Sequence, residues 1–108
     1  MTYTKTIVCL ANSRKPGGRC VAGREVDSGQ FGSWVRPVSA RSGQEVSWDE
    51  RHYNDGRDPA LLDIIEIPFT AAQPQHHQIE NHLIDPQYYW QKRGTVSWHR
   101  IQSAVETV

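Results

Sequence analysis

The sequence predicts a mainly β domain of five short strands, with short helices near its C-terminal end. Three observations point there. The chain has 108 residues, room for one small domain spanning 1–108. Its apolar residues gather in short runs rich in β-formers: Ile7-Val8-Cys9-Leu10, Cys20-Val21-Ala22-Gly23 and, densest of all, LLDIIEIPF over 61–69. Turn residues separate these runs. The hydrophobic fraction of 37% and mean hydropathy of -0.66 are lean for a core, so the 4 Trp, 4 Tyr and 2 Phe must supply much of the buried area.

The first strand is expected over residues 3–11. Its centre is apolar on both faces, which marks an inner strand. Pro16-Gly17-Gly18 is a turn signal. The second strand is expected over 19–26, where Gly23 marks a bulge or a sharp bend. Ser28 to Gly32 reads as a turn. The third strand covers 33–38 and ends at Pro37, which has no N–H to donate. Residues 40–60 are polar and turn-rich, and Trp48 and Tyr53 argue that this long connection folds back onto the body. Residues 61–69 form a core strand that Pro68 ends or places at an edge. After a linker containing Pro74, residues 77–84 alternate as a fifth strand. Asp85-Pro86 reads as a helix N-cap and first helical position, with Gly94 as the terminator after Arg93. Ser97 caps a last helix in which Trp98, Ile101, Val105 and Val108 share one stripe.

The net charge of +0 hides an asymmetry. Residues 1–41 carry seven basic residues against Glu25 and Asp27, whereas residues 42–108 carry five basic and ten acidic ones. A neutral chain is a poor non-specific nucleic-acid binder, because that affinity comes from phosphate neutralisation. A polarised chain can still present one basic face, unless the two halves pair and cancel. Cys9 and Cys20 lie in apolar runs, as buried free thiols do. No apolar signal segment opens the chain, and no run approaches the roughly 20 apolar residues of a membrane span. The expectation is a cytoplasmic protein with reduced cysteines and no membrane contact.

Among candidate chemistries, metal binding lacks the clustered spacing it needs: the five histidines and two cysteines form neither CxxC nor HExxH, so no metal and no cofactor is expected. Cys20, beside Arg19, is the better candidate nucleophile, but its apolar neighbours favour a structural role. Asn12 to Arg19 offers a phosphate cradle. Backbone N–H groups of a glycine turn can form an anion nest, with Arg14, Lys15 and Arg19 adding charge. Trp34 stands two residues before Arg36 and so on the same strand face, an arrangement suited to base stacking beside a phosphate contact. Equally, Trp34 belongs to the core and Arg36 pairs with Glu25 or Asp63. A carboxylate inside an apolar strand, as Asp63 is, needs a partner.

CLANSRKPGGRCVAG, GSWVRPVS, LLDIIEIPF and HQIENHLID together resemble the N-terminal part of the bacterial dual OB-domain family, over about residues 6–105. The resemblance implies a small OB-like five-stranded barrel with Greek-key topology and short C-terminal helices. It also implies a non-catalytic module near bacterial defence genes, with nucleic acid or a nucleotide as ligand and no enzyme activity. On this chain the polar motif positions are Asn12, Ser13, Lys15, Arg19, Arg36, Ser39, Gln78, Glu80 and Asn81. The chain has room for one barrel, so it is read as a single OB-like domain or the first half of a two-barrel protein.

Together these readings favour an OB-type module that binds single-stranded nucleic acid. Arg14, Lys15, Arg19 and Arg36 would hold the backbone, and Trp34 would stack a base. The alternatives are a nucleotide sensor using Asn12–Arg19 with Gln78–Asn81, and an interaction module. The latter would join a second OB unit, or a second copy, through the C-terminal helix.

Overall fold

Short β-forming runs and tight turns give six strands among the described residues. The computed structural model describes residues 2–41, 44–73 and 80–100. The strands are β1 (Tyr3–Lys15), β2 (Gly18–Asp27), β3 (Gln30–Val38), β4 (Asp63–Ala72), β5 (Asn81–Ile84) and β6 (Gln91–Thr95). A one-turn helix, α1 (Trp48–Arg51), lies between β3 and β4. β1 to β5 each overlap an expected strand, and β1 and β4 run several residues further than expected, whereas β6 has no expected counterpart.

Five strands close on themselves in the order β1-β2-β3-β5-β4, with β4 returning to β1. All ring pairings are antiparallel except β3 with β5. The five-stranded closure implied by the resemblance is therefore present, and β6 adds antiparallel to β4 outside it.

Alternation along the strands sets the inside of the ring. Ile7 and Cys9 of β1, Val21 of β2, Val35 of β3 and Ile65, Ile67 and Phe69 of β4 are buried together with Val46, Tyr53, Ile84 and Trp90. Val8, also fully buried, belongs to a second cluster with Leu10, Val26, Phe31, Leu62 and Val96. That second cluster explains why β1 reads as apolar on both faces. Gly23 lies opposite Cys9, where β1 carries a bulge. A Cβ at Gly23 would overlap the Val8 carbonyl, so the expected bend at this glycine is a close backbone approach.

Two expectations are corrected. No helix forms after Asp85-Pro86. The Asp85 side chain accepts the Gln87 N–H at 3.1 Å, a turn bond, and Gln91–Thr95 then pairs with Asp63–Glu66 as β6. A capping aspartate serves a turn as well as a helix, and the open edge of β4 decided between them. Nor does Pro68 end β4. Its carbonyl accepts the Asp85 N–H at 3.0 Å, and beyond it β4 goes on pairing with β5 as far as Ala72.

Tyr53 folds back into the core as expected, whereas Trp48 is 48% exposed. The expected C-terminal helix begins at residues 98–100, where the Ser97 hydroxyl accepts the Arg100 N–H at 3.3 Å. The rest of its stripe lies outside the described residues. Among the described residues no helix is long and apolar enough to cross a membrane.

Candidate functional site

The β1–β2 hairpin ends in a two-residue turn. Pro16 brings a fixed φ and Gly17 the positive φ, 89°, that its position requires. The register sets Arg14 directly opposite Arg19, so two like charges share one face of the hairpin end. Arg14 and Lys15 are exposed and have no ion-pair partner among the described residues.

Backbone bonds fix the helical segment against this hairpin. Arg19 and Val46 exchange N–H···O bonds of 3.0 and 2.9 Å, and a Cβ at Gly18 would overlap the Val46 carbonyl. Ser47 and Glu50 then form a capping box: the Ser47 hydroxyl accepts the Glu50 N–H at 3.3 Å, and Glu50 Oε1 accepts the Ser47 N–H at 2.9 Å. Arg51 is buried. It donates to Asp58 through Nε at 2.7 Å and Nη2 at 3.0 Å, and to the Val46 carbonyl through Nη1 at 3.0 Å. Locked this way, α1 holds Trp48 outward, its ring stacked on His52 with centroids 4.3 Å apart.

The result is an open cleft of about 370 Å³ lined by Arg14, Lys15, Gly17, Gly18, Arg19, Trp48 and Arg51. Its charge is net positive. The nearby acids Glu45 and Glu50 are engaged by Arg41 at 3.4 and 3.8 Å. Asp58 is held below the usual carboxylate range, first by its hydrogen bond from Arg51 and further by the charges of Arg51, Arg19 and His52. Of the four cationic side chains lining the cleft, Arg19 and Arg51 act on that single carboxylate and Arg14 and Lys15 have no ion-pair partner among the described residues, and a large aromatic face stands beside them. Such a cleft can grip a phosphate and stack a planar ring.

The structure brings only part of the sequence-predicted set to this cleft. Arg14, Lys15 and Arg19 line it. Asn12 lies on the same strand face as Arg14 but is held locally, donating to the Pro59 carbonyl at 3.0 Å and accepting from Arg19 at 3.4 Å. Ser13 is exposed on the opposite face. Ser39 is buried, its hydroxyl donating to Glu50 at 2.8 Å. Glu80 immediately precedes β5, and Asn81, its first residue, is fully buried. Gln78 lies outside the described residues.

Trp34 and Arg36 share the outer face of β3, as expected, but neither lines the basic cleft. Trp34 borders a separate apolar groove with Cys9, Leu10, Leu61, Leu62 and Trp98. Arg36 pairs with Glu80 at 3.4 Å, not with Glu25 or Asp63. Asp63 faces inward instead and accepts from Tyr53 Oη at 2.7 Å and the Ala60 N–H at 3.1 Å, with Lys92 at 3.4 Å. The aromatic partner of the basic hairpin is thus Trp48. The sequence carries a signal for it: Ser47-x-x-Glu50 is capping-box spacing, with Trp48 at the first helical position. Among the described residues no group of three His, Cys, Asp or Glu side chains is placed to hold a metal ion.

A family model described as a dual OB-containing domain matches residues 5–108. No match is found among curated proteins or among solved structures.

Proposed function

This chain belongs to the dual OB-containing domain family, and from that premise we propose that it is a non-catalytic module that binds single-stranded nucleic acid in the cleft at the β1–β2 hairpin end. The observation that carries the reading is the exposed Trp48 ring held beside Arg14, Lys15 and Arg19 around one open cleft. OB barrels use the loop between their first two strands to bind oligonucleotides, and the three cations flank that loop. Phosphates are attracted by the cations, while any base can stack on the indole, so binding tolerates many sequences.

Tryptophan fluorescence tests this reading. Titration with a short oligothymidylate at low salt should quench the emission, and Trp48→Phe should remove most of that quenching. Trp48→Ala should weaken binding by about 1–3 kcal/mol, the range for one base–aromatic stack. Undiminished quenching and affinity in both variants would rule the cleft out. A nucleotide panel run alongside separates this reading from a nucleotide sensor.

A further inference from the structure

A second pair of clefts opens beside the first. The larger, about 610 Å³, lies between the turn after Tyr53 and the segment from Gln87 to Lys92. The smaller, about 390 Å³, runs from the same segment to the β1 start at Tyr3. The two share Tyr88, Tyr89 and Gln91, so the tyrosines form a ridge between them. Both rings are more than half exposed, at 59% and 53%.

The ridge is built rather than incidental. Asp85 accepts the Gln87 N–H and fixes the turn that presents the tyrosines. Trp90, fully buried, anchors the segment through a bridge to Tyr53. The cations of the larger cleft are engaged: Arg57 pairs with Asp55 at 2.7 Å and Lys92 with Asp63 at 3.4 Å. What remains on offer there is aromatic face and the side-chain amides of Asn54, Gln87 and Gln91. That chemistry suits uncharged planar rings with polar edges. The ridge also connects to the basic cleft, because His52 stacks on Trp48 at 4.3 Å and meets Tyr89 at 5.3 Å.

We propose that, given the nucleic-acid reading above, a bound strand leaves the basic cleft over Trp48 and His52 and lays further bases on the Tyr88–Tyr89 ridge. The ligand is then a single strand several nucleotides long. A free nucleotide cannot span both places, and a duplex keeps its bases stacked inside.

The test compares oligothymidylates of about 2 and about 10 nucleotides, lengths below and within the range of OB sites. Wild-type protein should bind the longer strand at least about tenfold more tightly. Tyr88→Ala/Tyr89→Ala should lose about tenfold or more on the longer strand and nothing on the shorter, with an unchanged salt dependence. Tyr88→Ala alone, which leaves the Tyr89–His52 contact in place, should show part of the same loss. If both variants bind the longer strand like wild type while wild-type binding stays salt-sensitive, the ridge is not used and the basic cleft stands. If wild-type protein binds neither length, the cleft reading fails and this inference with it.

Discussion

Buried ionisable groups give individual residues their clearest predictions. Burial first, and the charge of Asp63 second, push the Cys9 thiol up to about 12. Tyr53 is also pushed up, by burial and then by the hydrogen bond it donates to Asp63. Folding thus favours the protonated form of both. Their contribution is whole below the unfolded values, about 8.5 for Cys and 10 for Tyr, and is lost as pH rises beyond them. Urea denaturation should show stability falling from about pH 9 upward, and Tyr53→Phe should flatten that fall while costing about 1–2 kcal/mol at pH 7. His82 works in the other direction. Its Nδ1 lies 2.6 Å from Tyr3 Oη, and burial, aided by Lys5 and opposed by Glu25, holds its pKa below the ordinary value. The unfolded chain takes up the proton more readily, so this stability is present above about pH 6.5 and is lost as pH falls through the folded pKa. His82→Leu should blunt the loss measured between pH 7 and pH 5; an unchanged acid limb would refute the assignment. At this scale the sequence shows that Asp63 needs a partner, but not which one. Its partners Tyr53, Ala60 and Lys92 come from a turn and a strand whose placement only the closed ring decides.

Turns and caps explain which elements were legible. Local chemistry marks β1, β2 and the hairpin between them: an apolar run, a Pro-Gly turn, a second run. Gly23 is legible too, as a glycine inside a strand, and its Ala variant should cost about 1–3 kcal/mol or more because the added Cβ meets the Val8 carbonyl. A thermal shift no larger than that of an exposed-strand control would contradict that packing. β6 is not legible from its own residues. Its first half is polar and exposed, and it is a strand because β4 offers an edge. α1 is short enough to escape a search for periodicity, yet its capping box is written in four residues. Ser47→Ala should cost about 1 kcal/mol and loosen the presentation of Trp48 as well. A melt that drops with oligonucleotide affinity unchanged would separate the cap from the site.

For the whole molecule, closure of five strands turns a charge asymmetry in the sequence into a surface. Four of the seven basic residues of the first half meet acids or carbonyls in the fold: Lys5 with Glu25, Arg24 with the Gly32 carbonyl, Arg36 with Glu80, and Arg41 with Glu45 and Glu50. Arg14, Lys15 and Arg19 stay together at one hairpin end, next to the ring that α1 holds out. The basic half of the site was readable along the chain because its residues are adjacent. The aromatic half was not, since Trp48 reaches Arg19 only through the backbone bridge at Val46. Trp34 stands nearer to Arg19 in sequence and borders a different groove.

Because the protein is neutral as a whole, its salt response reports this one cluster. The direct measurement is therefore the slope of log affinity against log salt for a single-stranded oligonucleotide, in wild type and in Arg14→Ala/Lys15→Ala. Both side chains are exposed, so the variant should fold normally. With about 0.7 counterions released per phosphate contact on single strands, the slope should shrink by about 1.4 and low-salt affinity should fall. An unchanged slope, in a wild type that does bind, would place the nucleic acid elsewhere on the molecule.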